Sequence, residues 1–159
     1  MPSLMFVCTA NLCRSPVAAA LFRQWLQRHA VSGDWQVLSS GTWADDGKEI
    51  ARSVQTAMRE LDIDLSQHRS RTISEELLHG VDLILCMTQS HREALRVEFP
   101  QYAPRIRLLS EMTGQTYDIP DMERGSSSDC VCLAKDLVDI IEQGGENIAA
   151  LLLQTKNTV

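Results

Sequence analysis

Residues Leu4–Cys8 read LMFVC, an apolar run with no polar break. Such a run suits a strand buried on both faces, as in a parallel sheet. The period then changes. Val17, Leu21 and Trp25, with Ala18, Phe22 and Leu26 beside them, recur every fourth residue and form one helical stripe. Pro16 falls in the first turn of that helix, where its missing N–H costs nothing. Trp35–Ser40 (WQVLSS) predicts a second strand, and Ile50, Val54, Met58 and Leu61 a second helix. Val81–Met87 (VDLILCM) is the most hydrophobic run and predicts a third strand. A helix around Ser90–Phe99 follows and ends at Pro100, then a fourth strand over Arg105–Ser110. Leu133, Leu137, Ile140 and Ile141 mark a late helix. Gly144-Gly145 is expected to interrupt it, with Ile148, Leu151 and Leu152 continuing in a terminal helical segment.

Strands alternating with helices at these intervals imply βαβ units, so the fold class is α/β with helices on both faces of a parallel sheet. The 159 residues are read as one domain, 1–159, with no internal repeat. Two polar stretches, GTWADDGKE (41–49) and DMERGSSSDC (121–130), are expected to be surface loops.

Composition narrows the function classes. Fifteen basic and twenty-one acidic residues give a net charge of −6. That argues against a nucleic-acid or anionic-membrane surface, both of which need basic stripes. No apolar run reaches bilayer length, and the N-terminal segment has no basic region followed by a long apolar one, so a cytoplasmic protein is expected. The five cysteines, Cys8, Cys13, Cys86, Cys130 and Cys132, fit reduced thiols better than a disulfide framework.

The chemistry concentrates in CTANLCRSP, Cys8–Pro16. Cys8 ends a strand and Arg14-Ser15-Pro16 opens a helix, so the residues between form a tight loop. Loop and helix N–H groups then converge on one point, which makes an anion site that the helix dipole reinforces. A cysteine at its base, near a guanidinium, lies where the thiolate is favoured. Arg14 can grip two oxygens of a phosphate through its planar fork. Ser15 can donate a hydrogen bond to the thiolate and stabilise it as a leaving group. Other readings exist: a buried structural cysteine, half of a metal site, or a reversible Cys8–Cys13 disulfide. A structural zinc needs four ligands, and Cys130 and Cys132, the other close pair, have no neighbouring His.

Val7-Cys8-Thr9-Ala10-Asn11-Leu12-Cys13-Arg14-Ser15-Pro16 resembles V-C-x-G-N-x-C-R-S-P, the signature of the low-molecular-weight protein tyrosine phosphatases. Val37–Thr42 (VLSSGT), Asp62–Arg71 (DIDLSQHRSR), Asp82–Met87 (DLILCM) and Asp118–Asp121 (DIPD) resemble further segments of that family, in the same order. The resemblance implies a three-layer α/β/α fold whose four-stranded parallel sheet has order 2-1-3-4, with a phosphate-binding loop after the first strand. It implies Cys8 as nucleophile, with Arg14, Ser15 and the loop residues Thr9, Ala10, Asn11, Leu12 and Cys13 around the phosphate. Asp121 would protonate the leaving oxygen and later act as base toward water. Asn11, Ser39 and His68 would form a buried network supporting the loop, and Cys13 could pair with the nucleophile and shield it from irreversible oxidation. The family implies no metal, no other cofactor, a phosphorylated protein as substrate, and a monomer.

The chain departs from the pattern at several places. Ala10 stands where Gly is usual; a positive φ there would cost about 1 kcal/mol, a negative φ nothing. Met122 replaces a Pro, and Glu123-Arg124 replace an aromatic pair that walls the substrate cleft; Trp43 is a candidate for that wall, or simply an exposed indole. Asp118 is a second candidate acid. Protein-arginine phosphatases resembling this chain carry Thr at the position of Leu12, so the apolar Leu12 favours a phosphate ester. An arsenate reductase would need a further redox pair after the third strand; Cys86 lies inside that strand and looks like core, and Cys130 and Cys132 fall in the wrong segment by the family pattern. A phosphate-binding pseudophosphatase or thiol sensor is the non-enzymatic alternative.

Overall fold

The structure is a computed structural model and describes residues 1–121 and 126–156. Strand β1 (Ser3–Cys8) leads through the Thr9–Cys13 loop into helix α1 (Arg14–Arg28). Then come β2 (Gln36–Gly41), α2 (Arg52–Arg59), the short α3 (Glu75–His79), β3 (Leu83–Cys86), α4 (Gln89–Glu98), β4 (Ile106–Leu108) and the long α5 (Ser127–Lys156). Two 3₁₀ turns, Pro100–Arg105 and Ser110–Thr113, flank β4. The four strands form one parallel sheet of order β2-β1-β3-β4.

The unbroken apolar strands have their physical reason in two cores. Side chains alternate across β1: Leu4, Phe6 and Cys8 belong to one buried cluster, Met5 and Val7 to another. Strand β3 divides likewise, Leu83 and Leu85 from Ile84 and Cys86. Helices α1, α2 and α5 cover the first face, and α3, α4 and the Pro100–Arg105 turn cover the second. With both faces covered, neither set of side chains tolerates polarity.

Two expectations fail in α5. The helix runs through Gly144-Gly145 without a break. A Cβ on Gly145 would lie 2.4 Å from the Trp25 indole, and one on Gly144 would lie 2.9 Å from the Met112 Cβ. The pair exists for close approach of α5 to α1 and to the Ser110–Thr113 turn, and packing outweighs its poor helix propensity. The stretch expected as a loop over 121–130 is helical from Ser127 onward. Met122, Glu123 and Arg124 lie outside the described residues. Helix α3, which the apolar pattern did not mark, is capped by Ser74, whose hydroxyl accepts a hydrogen bond from the Leu77 N–H at 3.3 Å. Strands β3 and β4 are each shorter than the apolar runs containing them.

Replacing Gly145 by Ala is expected to destabilise the protein by about 1–3 kcal/mol, although Ala is the better helix former, because the indole of Trp25 has no room to yield. A lowered urea midpoint in the Gly145→Ala protein is the check; a raised one would mean the helices re-pack at no cost.

Candidate active site

The site lies where β1 ends. Residues Thr9–Cys13 turn sharply, and Asn11 takes the left-handed conformation at φ 58°. Ala10 is not among the positive-φ residues, so its methyl group is accommodated without strain and the usual glycine is not needed here. Asn tolerates the left-handed region better than most residues, and it is held there by its own side chain. Asn11 Nδ2 donates to Ser15 Oγ at 2.9 Å and to Ser39 Oγ at 3.0 Å, while Oδ1 accepts from the Arg71 N–H at 3.0 Å. His68 Nε2 lies 2.8 Å from the Asn11 carbonyl; a carbonyl only accepts, so Nε2 carries the ring proton. Burial pushes the His68 pKa down, against that hydrogen bond.

The loop closes around Cys8. The Cys8 Sγ is 3.0 Å from Ser15 Oγ, which also reaches the Ser40 carbonyl at 3.3 Å. No described residue accepts a hydrogen bond from the backbone N–H groups of Ala10 to Ser15, so these donors remain for a ligand. Cys13 precedes α1 directly and is buried. Burial pushes its thiol up to about 12, and Cys130, Asp121 and Cys8 act in the same direction. Cys13 therefore stays protonated and is no competing nucleophile at neutral pH. Both Cys8 and Cys13 are free thiols. Leu12 is half-buried on the same loop.

Arg14 is 4% exposed. Its Nη1 donates to the Ile119 carbonyl at 3.0 Å and its Nη2 to Thr9 Oγ1 at 3.4 Å, and Nη2 lies 3.7 Å from Asp121 Oδ2. The Nε–H is buried with no acceptor among the described residues. Asp121 itself is 46% exposed at its side chain. Asp118 is otherwise engaged: its Oδ1 accepts from the Gln89 N–H at 2.8 Å, at the start of α4. Trp43 is 83% exposed; its N–H donates to the Thr9 carbonyl at 3.0 Å, which fixes the Trp43 backbone beside the loop. Cys86 is buried in the second core, pushed up to about 12 by burial. A cavity of about 380 Å³ lies behind the Asp118–Pro120 segment against Leu133 and Ile140 of α5, but Cys8 and Arg14 do not line it.

Four contributors escaped sequence reasoning. Gly41 is one: a Cβ there would lie 2.3 Å from the Thr9 carbonyl oxygen and 3.0 Å from the Asn11 nitrogen, so only glycine lets the loop lie against β2. Its signal was its place in VLSSGT. Arg71, in DIDLSQHRSR, gives its N–H to Asn11 and its Nε to the Ser39 carbonyl at 2.9 Å. The Ile119 carbonyl and His91 had no signal; His91 Nε2 is 2.8 Å from Thr9 Oγ1.

The family model for low molecular weight phosphotyrosine protein phosphatase matches residues 3–158. This chain belongs to that family. It is 34% identical to a protein-arginine-phosphatase of Bacillus subtilis (strain 168) over 153 residues, 95% of this chain and 92% of that one. It is 34% identical over 122 residues to a probable low molecular weight protein-tyrosine-phosphatase, EpsP, of Ralstonia solanacearum, covering 77% and 79% of the two chains. The YwlE arginine phosphatase, solved as a Cys-to-Ser mutant with phosphorylated active site serine, superposes with a TM-score of 0.87 at 30% identity, over 92% of this chain and 95% of that one. The sheet order and the loop after β1 are those the family resemblance implied.

Gly41→Ala is expected to disorder the loop against β2 and to abolish binding of inorganic phosphate while the far-UV circular dichroism stays close to that of the unsubstituted protein. Acid should also weaken the fold. Burial lowers the pKa of His68, and that of His91 from 6.5 to about 4. The unfolded chain therefore binds more protons between pH 6.5 and 4, and stability is full above that window and lost as pH falls through it. Urea midpoints measured from pH 7 to pH 4 should drop, and a His91→Gln protein should drop less.

Proposed function

We propose that this protein is a cysteine-dependent protein phosphatase that hydrolyses phosphomonoesters, phosphotyrosine foremost, through a cysteinyl-phosphate on Cys8. The observation that carries this reading is the ring of donors left over around one buried sulfur: the loop N–H groups and the Arg14 Nε–H have no described protein acceptor. A phosphoryl group satisfies all of them at once, and such donors cost free energy when left unpaired.

In this reading the Cys8 thiolate attacks phosphorus, and the bond from phosphorus to the leaving oxygen breaks as Asp121 hands that oxygen a proton. Arg14 and the loop amides hold the equatorial oxygens, where charge develops. Bound oxygens compete with the Asp121 carboxylate for Arg14 Nη2, which frees the carboxyl to face the leaving group. Water then attacks the phosphocysteine, Asp121 takes its proton, and the sulfur leaves as a thiolate that the Ser15 hydroxyl stabilises by hydrogen bonding. Inorganic phosphate is the second product. Thr9, Ala10, Asn11, Leu12 and Cys13 form the cradle, Ser39 and His68 hold it through Asn11, and Trp43 supplies an aromatic wall at the mouth. No step uses a metal or another cofactor. We read the protein as a cytoplasmic monomer with phosphorylated proteins as partners; its acidic balance and five cysteines that form no disulfide support the compartment.

A second reading, protein-arginine phosphatase, is favoured by the 34% identity over 95% of this chain to a protein with that activity. The apolar Leu12 on the loop favours an ester over the more polar phosphoramidate.

The reduced protein should hydrolyse p-nitrophenyl phosphate with excess chelator present, and Cys8→Ser should remove that activity. Turnover of the unsubstituted protein no faster than that of Cys8→Ser would sink the enzyme reading. Asp121→Ala should lower kcat by about 10²–10⁴, and Asp118→Ala should lower it far less. kcat/KM should be bell-shaped in pH, since it needs an ionised thiol and a protonated acid. Parallel assays on phosphotyrosine and phosphoarginine peptides separate the two substrate readings, and Leu12→Thr should shift the ratio toward phosphoarginine.

A further inference from the structure

His91 is 7% exposed, lies beside Arg14, and takes no part in the chemistry above. It sits in the first turn of α4, where its N–H donates to the Thr88 hydroxyl at 3.2 Å. Its ring reaches the phosphate loop through one atom, Nε2, 2.8 Å from Thr9 Oγ1. The same Thr9 oxygen lies 3.4 Å from Arg14 Nη2.

A guanidinium only donates, so Thr9 Oγ1 accepts from Arg14. A hydroxyl has one proton and two lone pairs, so Thr9 can donate to His91 Nε2 or accept a second bond from it, and His91 Nδ1 is buried without a partner among the described residues in either arrangement. In the first arrangement Nε2 accepts and the neutral ring carries its proton on Nδ1. The surroundings favour a neutral ring. Burial, and then the Arg14 charge, lower the His91 pKa to about 4; the Asp118 and Asp121 carboxylates, which act the other way, are outweighed. A hydroxyl whose proton is engaged is also the better acceptor.

We propose that neutral His91 and Thr9 form a positioning pair that sets the Arg14 guanidinium for phosphoryl recognition. Two fixed points define the fork: the Ile119 carbonyl at Nη1 and the Thr9 hydroxyl, polarised by His91, at Nη2. With both ends tethered, the plane of the fork cannot rotate about the Arg14 side chain. His91 touches no phosphoryl oxygen and acts through Thr9. The pair comes from distant parts of the chain, the end of β1 and the start of α4, so it also ties the loop to the element that Asp118 caps.

The inference rests on the reading of Arg14 as the phosphate ligand, and the test separates the two. First, the imidazole ¹⁵N shifts of the unsubstituted protein, assigned by comparison with His91→Gln, should report a neutral Nδ1–H tautomer for His91 from pH 5 to pH 8. An Nε2–H tautomer or a charged ring at pH 6 overturns the pair whether or not the protein is an enzyme. Second, inorganic phosphate is titrated by calorimetry and as a competitive inhibitor of p-nitrophenyl phosphate hydrolysis. Thr9→Val and His91→Phe should each weaken phosphate binding and raise KM about tenfold, with kcat changed less than KM. The double variant should be no worse than either single one, because both remove the same link. His91→Gln, which keeps an acceptor on a flexible arm, should recover most of the loss. Additive losses, or unchanged phosphate binding in a folded Thr9→Val protein, overturn the proposal. A protein that binds phosphate yet turns over nothing would refute the enzyme reading and leave the pair standing on its binding data.

Discussion

Everything at the loop depends on Asn11 holding a left-handed backbone. At φ 58° it reverses the chain within the span between a strand and a helix. Its side chain ties Ser15, Ser39 and the Arg71 backbone together, and His68 secures its carbonyl. Each such bond contributes about 1 kcal/mol net, but each partner left unsatisfied in this buried place would cost more. The network is therefore all-or-none. Once it is made, the N–H groups of the loop from Ala10 to Ser15 have no acceptor among the described residues.

That constraint propagates outward. The Asn11 turn lies against β2 only because Gly41 has no side chain there. Ser15, bonded to Asn11, stands 3.0 Å from the Cys8 sulfur, so the residue that shapes the loop also positions the hydroxyl facing the thiol. Cys13, five residues on, is buried and stays protonated. The two cysteines of one short loop thus differ by environment: one among donors, the other in an apolar setting beside further thiols and a carboxylate. Arg14 joins this floor to the Ile119–Asp121 segment, so the loop and the acidic residue meet at one guanidinium.

Much of this was legible in the residues. Unbroken apolar runs at Leu4–Cys8 and within Val81–Met87 announced strands covered on both faces, because only a doubly covered parallel strand excludes polarity from both sides. The spacing of Cys8, Arg14 and Ser15 between a strand and a helix announced a tight loop with N–H groups left over, because a helix N-terminus presents unpaired donors. The supporting residues Asn11, Ser39 and His68 were legible through resemblance alone. Other features were not legible. Gly144-Gly145 looked like a helix break because propensity is local, whereas its cause is the Trp25 indole on another helix. Ala10 looked like a possible source of strain because sequence does not give the sign of φ.

His91 and Trp43 mark the boundary most clearly. Both were visible as residue types, yet nothing in their spacing tells whether an imidazole sits against a threonine eighty-two positions away, or whether an indole is exposed. The sequence by itself determined the layers, the strand–loop–helix junction and the chemistry it can carry, since these follow from periodicity and from groups close along the chain. Only the tertiary structure decided which donors stay unpaired, which cysteine is silenced by burial and what grips Arg14. Those are properties of partners brought together from far along the chain, and a hydrogen bond depends on distance and direction in space, not on separation in sequence.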